Sequence, residues 1–256
     1  MLPFIGKAIA KKLFKPSKGT VFKILAFIFI LPSLVFTTLA LTGCISTSPQ
    51  IPSLYVVSLT NSELGNDTQI RLGFFGICGI DKDEDDGKTV CLPTTGRKLD
   101  TLPADLFPEN SKLAESEEVR ALIDIALNLQ HGIFVSPLAG GAAAFVLGLI
   151  LVLVHKRSLR KAEFYSASVK WIKRATYALL VIAVAGTGGS ALAITQAADA
   201  LQYASLEDNS VVFTAGKTVQ VFQWIAFGCE AAFLLLVPLL VKPGEKEVVY
   251  DDKEFV

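Results

Sequence analysis

Gly73-Phe74-Phe75-Gly76-Ile77-Cys78 is followed, after twelve intervening residues, by a second cysteine, Cys91. Both lie in a long polar segment between the first two of four apolar stretches. If that segment is extracellular, the two thiols can oxidise and pin a small sheet above a membrane bundle. A hairpin between them would bring the thiols together, and closing a loop of that size stabilises the fold by about 3 kcal/mol in the chain-entropy model. Gly73 and Gly76, flanking two phenylalanines, suit a strand that lets another backbone approach while presenting aromatic surface. Everything then depends on whether the chain crosses a membrane, and in which direction.

Composition answers the first question. Of 256 residues 52% are apolar and only 19% are charged, too apolar for an ordinary soluble domain. Four windows, Val21 to Thr42, Ile133 to Val154, Ala175 to Ile194 and Val219 to Val241, are each long enough to cross a hydrocarbon core of roughly 30 Å at about 1.5 Å per residue. Charge answers the second. The zero net charge conceals an asymmetry: five lysines (Lys7, Lys11, Lys12, Lys15, Lys18) and no acid precede the first window, and seven bases against Glu163 alone separate the second from the third. Both segments are expected to face the cytoplasm. The first loop carries fourteen acids against seven bases and is expected outside.

The expected order is a basic cytoplasmic leader (1–20), a first span (21–43), an extracellular loop (44–132), a second span (133–154), a basic cytoplasmic loop (155–174), a third span (175–196), a second extracellular loop (197–217), a fourth span (218–241) and a cytoplasmic tail (242–256). Leu41-Thr42-Gly43-Cys44 has the form of a bacterial lipoprotein site, but three further spans would be odd on a lipoprotein. Within the leader, Leu2, Ile5, Ile9 and Leu13 share one helical face opposite lysines, a pattern that suits either an anionic lipid surface or a plain topology signal. In the first loop, strands are expected from Leu54 to Leu59, Gln69 to Ile77 and Thr89 to Leu92. A helix is expected over 111–130, capped by Asn110 or Ser111, with Val119, Leu122, Ile123, Ala126 and Leu129 on its apolar face. Asn66-Asp67-Thr68 is a glycosylation acceptor, usable only in a lumenal loop.

The glycine pair, the cysteine pair and the four spans together resemble the claudin-type signature, and more closely its fungal variant. The chain is similar to the fungal claudin-like family of low-affinity calcium-influx regulators and mating cell-fusion membrane proteins. The residues that carry the resemblance are Gly73, Phe74, Phe75, Gly76, Cys78 and Cys91, with the Gly43-Cys44 exit of the first span and the Tyr55-to-Leu59 strand. Phe75 replaces the tryptophan of animal claudins, which argues against a tight-junction role. The resemblance implies a four-helix transmembrane bundle with a small extracellular antiparallel sheet, in a plasma-membrane protein that promotes calcium entry and membrane merger in mating. The alternative is a structural claudin-like organiser or adhesion protein of membrane domains.

Two further features need a reading. Asp81, Asp83, Glu84, Asp85 and Asp86 lie between the two cysteines; the spacing does not fit an EF-hand, so they form either a solvated hairpin tip or a patch that attracts cations. Glu230 stands in the middle of the fourth span, where a charged residue costs roughly 2.5 to 3.5 kcal/mol. It is expected to face the bundle, either on an ion path or contact with a channel subunit, or hydrogen-bonded near Thr187 or Ser190. Small residues in the second and third spans suit close helix packing and, equally, an oligomer face. No phosphate loop, nucleophile with a base, or clustered metal ligands are readable, so no enzyme, cofactor, metal or nucleic-acid role is expected. The expected partners are membrane lipids, another membrane protein such as a channel or the fusion machinery, and a second copy of the chain. Cys44 has no assigned role.

Overall fold

A computed structural model describes residues 18–61, 68–81, 88–97, 99–108, 111–130, 135–160, 167–207 and 211–240. In chain order the elements are α1 (Lys18–Thr42), β1 (Val57–Asn61), β2 (Thr68–Leu72), β3 (Gly76–Asp81), β4 (Lys88–Pro93), α2 (Leu102–Leu106), α3 (Ser111–Glu115), α4 (Glu117–Leu129), α5 (Val135–Arg160), α6 (Ala167–Glu207), β5 (Val211–Ala215) and α7 (Lys217–Leu240). Four of these, α1, α5, α6 and α7, are long and apolar enough to cross a membrane.

The four spans are built for a hydrocarbon solvent. Their outward residues are large and apolar, among them Phe27, Leu31, Leu153 and Leu235, the last 77% exposed. Polar side chains face inward instead: Ser33, Thr37, Thr187, Ser190, Gln223 and Glu230 are all buried. In lipid this distribution follows, because apolar packing alone does not hold helices together and small or hydrogen-bonding residues must. A methyl placed on Gly186 of α6 would lie 2.9 Å from the Cα of Gly141 in α5, so those helices meet backbone to backbone. α1 packs chiefly on α7, and α6 packs on both α5 and α7. Phe145 and Phe233 meet edge to face at 5.9 Å across α5 and α7, and Phe36 and Phe222 lie 5.0 Å apart across α1 and α7.

Above the bundle lies an antiparallel five-stranded sheet in the order β4-β3-β2-β1-β5. Strand alternation gives it two distinct faces. Val57, Leu59, Ile70, Leu72 and Ile77 share a core with Val119, Leu122, Ile123 and Ala126 of α4 and with Leu102, Leu106 and Phe107. The opposite face carries one cross-strand row, Thr214, Ser58, Arg71, Cys78 and Cys91.

Several elements differ from the sequence expectation. The strand expected from Gln69 to Ile77 is two strands, β2 and β3, reversed at Gly73–Phe75, where the Gly73 N–H donates to the Gly76 carbonyl at 2.9 Å. The run reads as continuous strand by composition, but its two glycines lie against the backbone of Gly43 and Cys44, where no side chain would fit. β1 starts at Val57, not Leu54, because a 3-10 turn at Ile51–Ser53 occupies the approach. The helix expected over 111–130 is divided at Ser116, whose hydroxyl accepts from the Val119 N–H at 3.3 Å and so caps a new helix, α4. β5 forms within the second loop (197–217), and α6 continues to Glu207, past the expected end of its span.

The cap makes a testable contribution. The Ser116 hydroxyl also donates to the Glu118 carboxylate, and with the Glu118 backbone N–H it holds that carboxyl below the usual range. Ser116→Ala is expected to cost about 1 kcal/mol, measured by thermal unfolding in detergent. A carboxyl whose pKa is depressed on folding stabilises the fold fully above its unfolded value. That contribution is therefore present at neutral pH and lost as the pH falls below the ordinary glutamate range.

Candidate functional site

Gly73 to Gly76 form the turn on which the sheet is seated. As α1 ends at Thr42, the chain turns through Gly43 and Cys44, the latter with a left-handed φ of 59°. A Cβ on Gly76 would stand 2.0 Å from the Cys44 carbonyl oxygen, and one on Gly73 would stand 2.2 Å from that of Gly43. Both glycines therefore permit close approach of another backbone, and that backbone is the exit of the first span. Gln130, at the end of α4, holds the turn from the other side: its Nε2 donates to the carbonyls of Gly73 at 3.0 Å and Phe74 at 2.7 Å. Phe74 does not present aromatic surface. It is fully buried in the core beneath the sheet, and Phe75 is half-buried, its carbonyl accepting from the Thr94 N–H at 2.9 Å.

The fourth span is attached to the same sheet. The Gly216 N–H donates to the Val56 carbonyl at 2.8 Å just before α7 begins, and a Cβ on Gly216 would meet the Tyr55 carbonyl at 1.7 Å. Gln130 and Gly216 were not singled out from the sequence. A glutamine closing an apolar helix face immediately before a span, and a glycine immediately before another, are the signals that could have found them.

Cys78 and Cys91 are directly paired across β3 and β4 and form the disulfide, with Cα atoms 4.0 Å apart. Cys44 joins them in one buried cluster with Tyr55 packed alongside, and its thiol donates to the Leu54 carbonyl at 3.7 Å. Arg71, next to Cys78 in the cross-strand row, lies over the Tyr55 ring at 4.9 Å and donates to the Pro52 carbonyl at 3.3 Å. Burial pushes the Cys44 thiol up to about 12, against a smaller opposing effect of the Arg71 charge. Because the thiolate is the attacking form in exchange, this third cysteine stays inert beside the disulfide. Alkylation with a maleimide at pH 8, followed by peptide mapping, is expected to leave Cys44 unmodified in the folded chain and to modify it after denaturation. The unfolded thiol ionises before the folded one, so stability is expected to fall as the pH rises from about 9 towards 12.

Of the five carboxylates between the cysteines, Asp81 closes β3, opposite Lys88 in register, and is buried. Asp83, Glu84, Asp85 and Asp86 lie outside the described residues, as does Asn66, whose acceptor threonine, Thr68, begins β2. The acidic segment leaves the sheet at the strand ends opposite the turn at Gly73–Phe75. With β3 six residues long, those ends are roughly 20 Å from the turn at about 3.3 Å per residue.

Glu230 is 1% exposed and accepts from the Ser33 hydroxyl at 3.0 Å and the Thr187 hydroxyl at 2.8 Å. Two turns nearer the sheet on the same helix, Gln223 Nε2 donates to Ser190 at 3.2 Å. Polar contacts thus join α1, α6 and α7 through the middle of the bundle. Glutamine at position 230 can still accept from Ser33 while donating to Thr187. Glu230→Gln is therefore expected to stay within about 1 kcal/mol of the native chain, whereas Glu230→Ala leaves a cavity and removes the acceptor from Ser33, at about 3 kcal/mol. Unfolding of both variants in a mixed-detergent series measures the difference.

With a disulfide-pinned sheet seated on four spanning helices now described, comparison with known families is informative. A family model described as Ca2+ regulator and membrane fusion protein Fig1 matches residues 55–242. The chain belongs to this family. The match takes in the whole sheet, its helices and the last three spans; Gly43 and Cys44, on which the sheet sits, precede it. The family is described by calcium regulation and membrane fusion, the description of a regulator and not of an enzyme. No curated protein and no solved structure matches the chain significantly.

Proposed function

We propose that this protein is a plasma-membrane regulator of calcium influx and membrane fusion during fungal mating, acting by contact with other membrane proteins. The observation that carries this reading is the match to the calcium-regulator and fusion family, which spans the sheet and three of the four spans. A disulfide needs an oxidising compartment, which favours an extracellular sheet. The lysine-rich leader, the basic loop between the second and third spans, and an even number of crossings favour cytoplasmic termini.

Regulation is favoured over conduction because both carboxylate oxygens of Glu230 accept bonds from neighbouring helices. An acid so engaged serves as a tie between spans. Asp83, Glu84, Asp85 and Asp86 follow the far end of β3 in sequence, with a spacing that does not fit an EF-hand, and their charge favours a raised local cation concentration over a dedicated calcium site. An extracellular first loop would also make the Asn66-Asp67-Thr68 acceptor usable for glycosylation.

The experiment is cytosolic calcium after mating stimulation, in cells lacking the protein and in cells carrying the Cys78→Ser, Cys91→Ser double variant at verified surface level. A reduced transient in both places the pinned loop in an influx pathway. An unchanged transient in both overturns the influx reading in favour of a structural organiser of membrane domains.

A further inference from the structure

The end of α6 away from the sheet carries a charged patch that neither the sheet nor the bundle uses. Lys170, Lys173 and Arg174 are exposed, and none of the three has an ion pair among the described residues. Spaced three and four apart, they share one side of the helix within about one turn. No acid follows on α6 before Asp199, so their charge is not offset along the helix. Trp171, 69% exposed, lies among them. Its place on the helix is informative. Trp171, Arg174, Ala178, Val181 and Ala185 follow one another at steps of three and four residues, and all are exposed, so they form one line on the outside of the bundle. Beyond Arg174 this line is apolar, and in a membrane it faces hydrocarbon. Trp171 and Arg174 therefore stand where the hydrocarbon ends, the depth that an indole prefers.

We propose that this end of α6 docks the headgroup of a multiply phosphorylated lipid, of the phosphatidylinositol bisphosphate class, with Trp171 set into the interface beside it. The charge argues for several phosphates: three neighbouring cations without acids complement a polyvalent headgroup better than a single phosphodiester, and the Arg174 guanidinium can grip a phosphate with two parallel bonds. The line argues for a lipid and not an acidic peptide, because the same side of the helix that carries Trp171 and Arg174 continues into the apolar span. Setting the direction of the chain in the membrane needs only positive charge in this segment. It does not need three cations on one side, or an exposed tryptophan in line with the lipid-facing residues. That the lipid belongs to the inner leaflet rests on the orientation proposed above; the binding does not.

The test uses the purified full-length chain in mixed micelles of detergent and phosphatidylcholine. Trp224→Phe leaves Trp171 as the one tryptophan, so energy transfer from it to a dansyl group in the acyl chain of an added lipid reports on this site. Transfer to dansyl phosphatidylinositol bisphosphate is expected to be at least about threefold stronger than to dansyl phosphatidylserine at matched total charge. In the same background, Lys170→Gln, Lys173→Gln, Arg174→Gln together are expected to bring the two lipids level while the disulfide still forms. Lys11→Gln, Lys12→Gln, Lys15→Gln in the leader, which remove the same charge elsewhere, are expected to keep the preference. Equal transfer to both lipids in the parent chain, a preference that survives the α6 triple variant, or one that the leader variant removes equally would each overturn the proposal. So would full displacement by an equal concentration of inositol trisphosphate, which would make the ligand a free phosphate compound, or carbodiimide cross-linking of the acidic tail to Lys170 or Lys173 that the lipid does not prevent, which would put a peptide there instead. None of these readouts involves calcium, so failure here and failure of the influx reading are separate results.

Discussion

Gly76→Ala is expected to prevent the sheet from seating on the first span. The added methyl would lie 2.0 Å from the Cys44 carbonyl oxygen, an atom fixed in the backbone at the exit of α1. Overpacking of side chains commonly costs about 1–3 kcal/mol because flexible neighbours move aside. Here the neighbour is main chain, with Cys44 already at positive φ and Gln130 bonded to the turn from the far side, so the loss is expected at or above the top of that range. Gly73→Ala should behave alike, since its methyl would meet the Gly43 carbonyl at 2.2 Å. Gly140→Ala is the control: nothing lies within 4 Å of its added methyl, and alanine favours helix. The measurement is the yield of monodisperse, disulfide-bonded protein from the membrane fraction. A Gly76→Ala chain that matches Gly140→Ala would disprove the backbone seat.

Removing the disulfide is expected to have the next largest effect. Cys78 and Cys91 are thirteen positions apart, and opening a loop of that size costs about 3 kcal/mol by chain entropy. The single variants need care. In Cys78→Ser the freed Cys91 remains in the buried cluster that contains Cys44, so a new pairing could mask part of the loss. The Cys78→Ser, Cys91→Ser double variant removes that route and should show the full cost in thermal unfolding. A single variant more stable than the double, with Cys44 and Cys91 linked on non-reducing peptide mapping, would show that the third thiol rescues the first loop. A double variant as stable as the native chain would mean that the sheet needs no pin.

How much of this was legible follows from the range of each determinant. The four spans were legible because each is encoded by its own composition. The cysteine pair was legible because a single hairpin joins its partners. The turn at Gly73–Phe75 was not, since Gly-Phe-Phe-Gly has the same apolar content whether it runs straight or reverses. What decides is the Gly43 and Cys44 backbone, some thirty residues earlier. β5 was missed for a related reason. Val211–Ala215 is short, and its pairing with β1 joins residues about 150 positions apart, which no local pattern announces. The division of the expected helix at Ser116 turned on one hydroxyl, against a periodicity that continues through it. Glu230 could be assigned to the interior from the cost of its charge, but that Ser33 as well as Thr187 would receive it depended on how α1 and α6 pack against α7.

The length of α6 has a mechanical consequence. Its 41 residues extend about 60 Å at about 1.5 Å per residue, twice the roughly 30 Å of hydrocarbon it crosses. One end stands beside the basic loop, and the outer turns lie along β5, the edge strand of the sheet. A pull on that edge is therefore carried along one continuous helix, past the whole thickness of the bundle, to the end that begins after the basic loop.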